Sequence, residues 1–190
     1  MGTLDFGPAT TTVARIVSGV RDDQLADPTP CPAMTVADLL DHLHGLSLAF
    51  TLAARKEPIP GGGAPSADGA RLPDGWREEV GGRLAALAAA WADPAAYDGL
   101  TMAGPVEMPG EIAALVAIDE VVVHGWDLSR ATGQDYDPGE SAVLAALGFA
   151  QTFDGPTDGG LFGPPVAVPD DAPALDRLAG ATGRDPAWRP

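Results

Sequence analysis

The run Gly110-Glu-Ile-Ala-Ala-Leu-Val-Ala-Ile-Asp-Glu120-Val-Val-Val-His124-Gly-Trp-Asp-Leu-Ser-Arg-Ala-Thr-Gly133 decides the fold. Its apolar residues keep helical spacing, and Gly133 stands where a helix ends in a left-handed residue, which predicts a helix from about Gly110 to Ala131. With Val116 at the centre of the inward face, Ile112 and Val123 fall within about 40° of it. Val121-Val122-Val123 would alone suit a strand, but its flanks obey the helical period. Glu120, His124 and Asp127 lie on the adjoining edge, within roughly 80° of the centre. An acid, a histidine and another acid beside a buried face need a chemical reason.

Outward from this run, the chain reads as more helices of the same kind. One is expected from Pro8 to Arg21, with proline in the first turn. Three prolines between Asp27 and Ala33 exclude helix there. Thr35 caps a second helix that reaches about Arg55, with Asp38 in the place of the usual capping-box glutamate. Residues 57–73, with three consecutive glycines at Gly61–Gly63, form a loose connection without the Lys-Ser/Thr of a phosphate loop. A third helix is expected from Asp74 to Ala92, and Gly81-Gly82 inside it leaves room for a kink or a split. A fifth, short helix starts at Asp137-Pro138-Gly139-Glu140, with Asp137 as its cap. Residues 154–190 are expected to be an irregular Pro/Gly-rich segment, packed on the body through apolar runs such as Leu161-Phe162 and Val166-Ala167-Val168. The fold class is therefore all-α: a four-helix bundle with an extra short helix, in a single domain over residues 1–190.

The bulk composition narrows the function classes. With 27 acidic against 11 basic side chains the net charge is −16, a field that repels nucleic acid. No apolar run is long enough to span a membrane. Cys31, the single cysteine, fits a reducing compartment. A soluble, cytoplasmic protein with small-molecule partners is expected.

The chain holds three histidines, His42, His44 and His124. Glu120 and His124 are spaced i, i+4, so on one helix they stand above one another and could share an ion. Imidazole and carboxylate suit zinc, and a His2Glu set with an open position is a known catalytic arrangement. Asp127 could accept the second N–H of His124 and fix its tautomer. The same spacing also describes an ordinary half-buried Glu–His pair. The second helix must supply the other histidine, and its wheel leaves two candidates. His44 lies nearer the face of Val36, Leu39, Leu40 and Leu43, whereas His42 shares a side with Leu46, Ala49 and Ala53. Among the remaining residues, Trp126 could line a substrate pocket and Arg130 could meet a substrate carboxylate or pair with a local acid. Cys31, in a proline-flanked loop without a basic neighbour, reads as structural.

The stretch from Cys31-Pro-Ala-Met-Thr-Val-Ala-Asp-Leu-Leu-Asp to His42, the stretch from Glu120 to Gly133, and the ending from Leu161 through Gly183-Arg-Asp-Pro-Ala-Trp188 resemble actinobacterial members of the DinB/YfiT-like superfamily. Most similar are proteins related to the metal-binding domain of mycothiol-dependent maleylpyruvate isomerase. The resemblance implies a DinB-like bundle holding a divalent transition metal on His42, Glu120 and His124, and so selects His42 over His44. Zinc is the first expectation, with nickel or iron as alternatives that imidazole also suits. It further implies mycothiol as a thiol cosubstrate and a homodimer. Met34 replaces the aromatic residue usual before Thr-Val, and the chain leaves no room for the isomerase's further C-terminal domain, so maleylpyruvate isomerisation itself is not carried over. The expected function is a metal-dependent enzyme that activates a thiol, or less favourably water, for isomerisation, S-transfer or addition. The alternative is a non-catalytic bundle that binds metal or a small molecule.

Overall fold

The computed structural model describes residues 2–32, 34–60, 65, 67–153 and 162–190. Gly61–Gly63 and Leu161 lie outside them. Four helices form the body: α1 (Gly7–Gly19), α2 (Val36–Arg55), α3 (Trp76–Trp91) and α4 (Gly110–Thr132). They pack around a ring in the order α1, α3, α2, α4, so α2 and α4 are neighbours. Two short helices, α5 (Glu140–Ala150) and α6 (Ala174–Ala181), follow. α5 packs on α4, and α6 packs on α5. This is the expected all-α bundle of four main helices with added pieces.

Local chemistry explains the boundaries. At α2 the Asp38 N–H donates to Thr35 Oγ1, while Asp38 Oδ2 accepts the Thr35 N–H at 2.9 Å, which completes the expected capping box. α4 ends at Gly133 with φ 67, the left-handed conformation that favours glycine. Gly81 and Gly82 do not split α3, which runs unbroken. The propensity cost of two glycines is outweighed by the burial of Val80, Leu84, Leu87 and Trp91 on one face.

Three sequence expectations are corrected. α5 begins at Glu140 rather than Pro138, because Asp137 Oδ1 accepts the Gly139 N–H in a tight turn instead of capping the helix. The segment 154–190 is not wholly irregular, since Ala174–Ala181 is helical. Its Leu178 and Ala179 are buried, and the Val166 N–H donates to Gly180 O at 2.9 Å. A two-stranded antiparallel hairpin, β1 (Leu100–Ala103) and β2 (Val106–Pro109), also stands between α3 and α4. Gly104, with φ 61, and Pro105 form its two-residue turn. The hairpin is tied to α2 by Thr101, whose buried hydroxyl donates to Ala53 O at 2.6 Å.

α4 is the central element, and α1 and Tyr136 approach it at Gly125. A Cβ placed there would lie 2.5 Å from Val13 Cγ2 and 2.6 Å from Tyr136 Oη. Gly125→Ala should therefore destabilise the protein by about 1–3 kcal/mol through overpacking. At this chain length each kcal/mol lowers the melting temperature by roughly 2–4 °C. Thermal unfolding checks this, and a parental midpoint would mean that α1 yields at this contact without strain.

Candidate metal centre

Glu120, His124 and Asp127 of α4 meet partners both within the helix and from other parts of the chain. Glu120 and His124 stand one turn apart, and His124 Nε2 lies 3.1 Å from Glu120 Oε2. α2 places His42 opposite them, its Nε2 3.4 Å from the same oxygen. The two imidazole rings meet edge to face, with centroids 4.9 Å apart. The three donor atoms all lie within 4.8 Å of one another. Four ligands at the 2.0–2.1 Å typical of zinc with nitrogen and oxygen stand about 3.4 Å apart along a tetrahedral edge. The two separations to Glu120, 3.1 and 3.4 Å, match that edge, and the imidazole donors lie within 4.8 Å of each other, so the residues present fit a small divalent ion.

His44 goes elsewhere. Its Nε2 lies 3.1 Å from Glu79 Oε2 on α3. α2 thus buries two faces, one toward α3 and one toward α4, and the two histidines divide between them.

Beyond His124 stands a buried chain of charge. His124 Nδ1 lies 3.1 Å from Asp127 Oδ2, and Asp127 is fully buried. Arg184, also buried, grips that carboxylate with two bonds, Nε to Oδ1 at 3.2 Å and Nη2 to Oδ2 at 2.9 Å, while its Nη1 donates to Thr182 O. Fork-to-carboxylate pairing of this kind fixes direction as well as charge. With Nδ1–H committed to Asp127, His124 Nε2 is left to face Glu120 and His42.

The electrostatics follow from these contacts. Burial alone would raise the Glu120 carboxyl, but hydrogen bonds from His124 and His42 outweigh it and hold the group well below the usual carboxylate range. Burial would lower His124, but its bonds to Asp127 and Glu120 raise it to about 9. Asp119, beside Glu120 on α4, is buried with its Oδ1 unbonded, and desolvation pushes its carboxyl well up.

The expectation that Cys31 lacks a basic neighbour is corrected: it lies in the field of Arg184. Its sulfur also lies within 4.8 Å of donor atoms of His124 and Asp127. Even so, burial dominates and pushes the thiol up to about 11. Trp126 and Arg130 are not brought to the His42–Glu120 side. Trp126 lines a small apolar crevice with Val123 and with Leu175, Leu178 and Ala179 of α6. Arg130 lies over the Trp126 ring and donates to Pro186 O at 3.2 Å, so it pairs with a carbonyl rather than an acid. Arg184 had no role in the sequence reading, because nothing in its local pattern shows that it returns to α4.

On the other side of the donors lies a cavity of about 480 Å³ between α2, α4 and the hairpin. His42 and Glu120 form part of its wall.

The fold and the clustered donors together define a class: a helical bundle with a His2Glu donor set between two of its helices. The chain belongs to the family of the mycothiol maleylpyruvate isomerase N-terminal domain, whose model matches residues 6–129. That span contains His42, Glu120, His124 and Asp127 but not Arg184. The uncharacterized proteins Rv0738 and MT0763, from two strains of Mycobacterium tuberculosis, are each 32% identical over 90% of this chain and 91% of their own length. Two crystal structures of mycothiol-dependent maleylpyruvate isomerase, one of them a histidine-to-alanine variant, share the fold with TM-scores of 0.55 and 0.56 at 19% identity. They cover 73% and 75% of this chain, which spans 63% of theirs.

Two outcomes are expected. Arg184→Ala should weaken metal binding by about 10–100-fold, because Asp127 loses the partner that aims it at His124. Arg184→Lys, which keeps the charge but not the fork, should fall between. Competition titration with a chelating dye measures both, and unchanged affinity in the alanine variant would remove Arg184 from the site. Separately, in chelated protein, Cys31 should react with iodoacetamide at pH 8 about two orders of magnitude more slowly than a free thiol. Alkylation followed by mass spectrometry reads that rate.

Proposed function

We propose that this protein is a metal-dependent enzyme of small-molecule metabolism. It holds a divalent transition ion, zinc first, on His42, Glu120 and His124, and activates a low-molecular-weight thiol of the mycothiol type for isomerisation, S-transfer or addition. The observation that carries the reading is the convergence of three donor atoms from two helices within 4.8 Å, at the wall of a cavity large enough for a substrate. The family membership supports the thiol.

A divalent ion supplies Lewis acidity and lowers the pKa of a thiol or water that shares it. The chain's own residues do the rest. Asp127 accepts the Nδ1 proton of His124 and so keeps the Nε2 lone pair for the ion. Glu120 is an acceptor-only group whose ionised form is favoured by both histidines. Three protein donors leave a fourth position for the reacting group. The apolar walls beside His42 and Glu120 limit the water that reaches that position, which strengthens the electrostatics there.

Metal quantitation on the purified protein should give about one ion per chain, the stoichiometry of a single His2Glu site. His42→Ala, Glu120→Ala and His124→Ala should each lose it, and His44→Ala should keep it. Unchanged stoichiometry in the Glu120 and His124 variants would sink the metal reading. Incubation with mycothiol and electrophilic substrates should then show turnover that chelation abolishes and added zinc restores. Turnover indifferent to chelation would sink the catalytic role.

A further inference from the structure

The cavity beside the donors has a composition that selects what enters it. α2 contributes Leu46, Ala49 and Phe50, the hairpin contributes Val106 and Met108, and α4 contributes Val116. The turn Gly104-Pro105 closes one side. Among the described residues of the wall, His42 and Glu120 carry the polar side chains, and none is Lys or Arg. Residues outside the description add no Lys, Arg or His either, because none of residues 1, 33, 61–64, 66 and 154–161 is of those types. The chain's single lysine, Lys56, is committed to Ala96 O at 2.8 Å. Arg130, the sequence candidate for a carboxylate partner, is turned to Pro186.

We propose that this cavity receives an uncharged hydrocarbon portion of the substrate, whose reacting atom meets the thiol beside His42 and Glu120. The assignment rests on the enzyme reading given above and names its substrate class. A carboxylate carried into the apolar walls, away from the ion that His42 and Glu120 would hold, would leave water with no Lys or Arg side chain to pair it, which is costly. The protein's net charge of −16 adds to that cost. A hydroxyl-rich thiol such as mycothiol fits the cavity poorly for the same reason, since among the described lining residues only His42 and Glu120 offer polar side chains to its hydroxyls. The thiol therefore approaches from outside the cavity, and the acceptor occupies it. Some 480 Å³ falls within the range of small-molecule sites and takes a chain or ring system of moderate size.

The test is binding, so it does not depend on turnover. The full chain is titrated with N-phenyl-1-naphthylamine, an uncharged dye that brightens in apolar surroundings, both as purified with its metal measured and after chelation. The dye is then displaced with n-alkanols from butanol to octanol. Affinity should rise about fourfold per added methylene, as expected for burial of each in an apolar site. In the chelated protein, octanedioate, which must bury a charge at either end, should compete at least about thirtyfold more weakly than octanol. Ala49→Phe, which fills the cavity, and Val106→Asp, on the exposed hairpin, should each weaken the dye at least about tenfold with metal content unchanged. Octanedioate within about tenfold of octanol, no rise with chain length, or dye binding indifferent to both variants would overturn the assignment. Dye and alkanol behaviour as expected in a protein that never takes metal would keep the cavity and overturn the enzyme reading instead.

Discussion

The carboxylate of Asp127 is the constraint on which the geometry of the centre depends, because it serves two partners at once. His124 reaches it from the same helix, and Arg184 reaches it from 57 residues away. A fully buried carboxylate is tolerable only when its lone pairs are answered, and removing one partner of such a pair costs about 3–5 kcal/mol. The pairing therefore fixes three things at once: the rotamer of His124, the seat of the C-terminal segment, and the direction in which Nε2 points. Glu120 and His42 then find that nitrogen already aimed. Stability and site geometry are carried by the same contacts, so a change that loosens one loosens the other.

The helical part of this arrangement was legible from sequence, and the reasons are particular. Glu120, His124 and Asp127 follow one another at four and three residues, a local spacing that any helix turns into a shared edge. Thr35 and Asp38 form a cap that sequence alone predicts, and the structure contains it. His42 against His44 was not decidable from periodicity. α2 buries two faces, so a wheel with one apolar centre has no single answer. The neighbours resolve it: small Ala49 and Ala53 lie on the side of α4 and the hairpin, while His44 faces Glu79.

What remained illegible was long-range or short. Arg184 belongs to the centre through contacts that no local pattern encodes. The hairpin strands are four residues each, too brief for alternation to stand out, and their signal was the Gly104-Pro105 pair between two apolar stretches. α6 was hidden among prolines and glycines, yet its Leu178 and Ala179 bury against the body. The Asp137 cap misled because an Asp-Pro-Gly run supports a tight turn as readily as a helix start, and the Gly139 N–H took the oxygen. Trp126 and Arg130 lie on α4 near the donors in sequence, but they point toward α6 and the C-terminal turn, away from the cavity.

The hairpin has a consequence for how such proteins diverge. His42 and Glu120 sit on long helices locked in the bundle, while Val106, Met108 and the Gly104-Pro105 turn stand on a small appendage tied to α2 by Thr101. Residues on a connection of this kind tolerate substitution and changes of length that a helix in a packed core does not. Lineages could thus reshape the cavity wall, lengthening the turn or exchanging a valine for something larger, while the donor atoms stay in register. The hairpin part of the cavity wall is thus free to vary apart from the helices that carry the donors, although α2 and α4 contribute the rest of that wall.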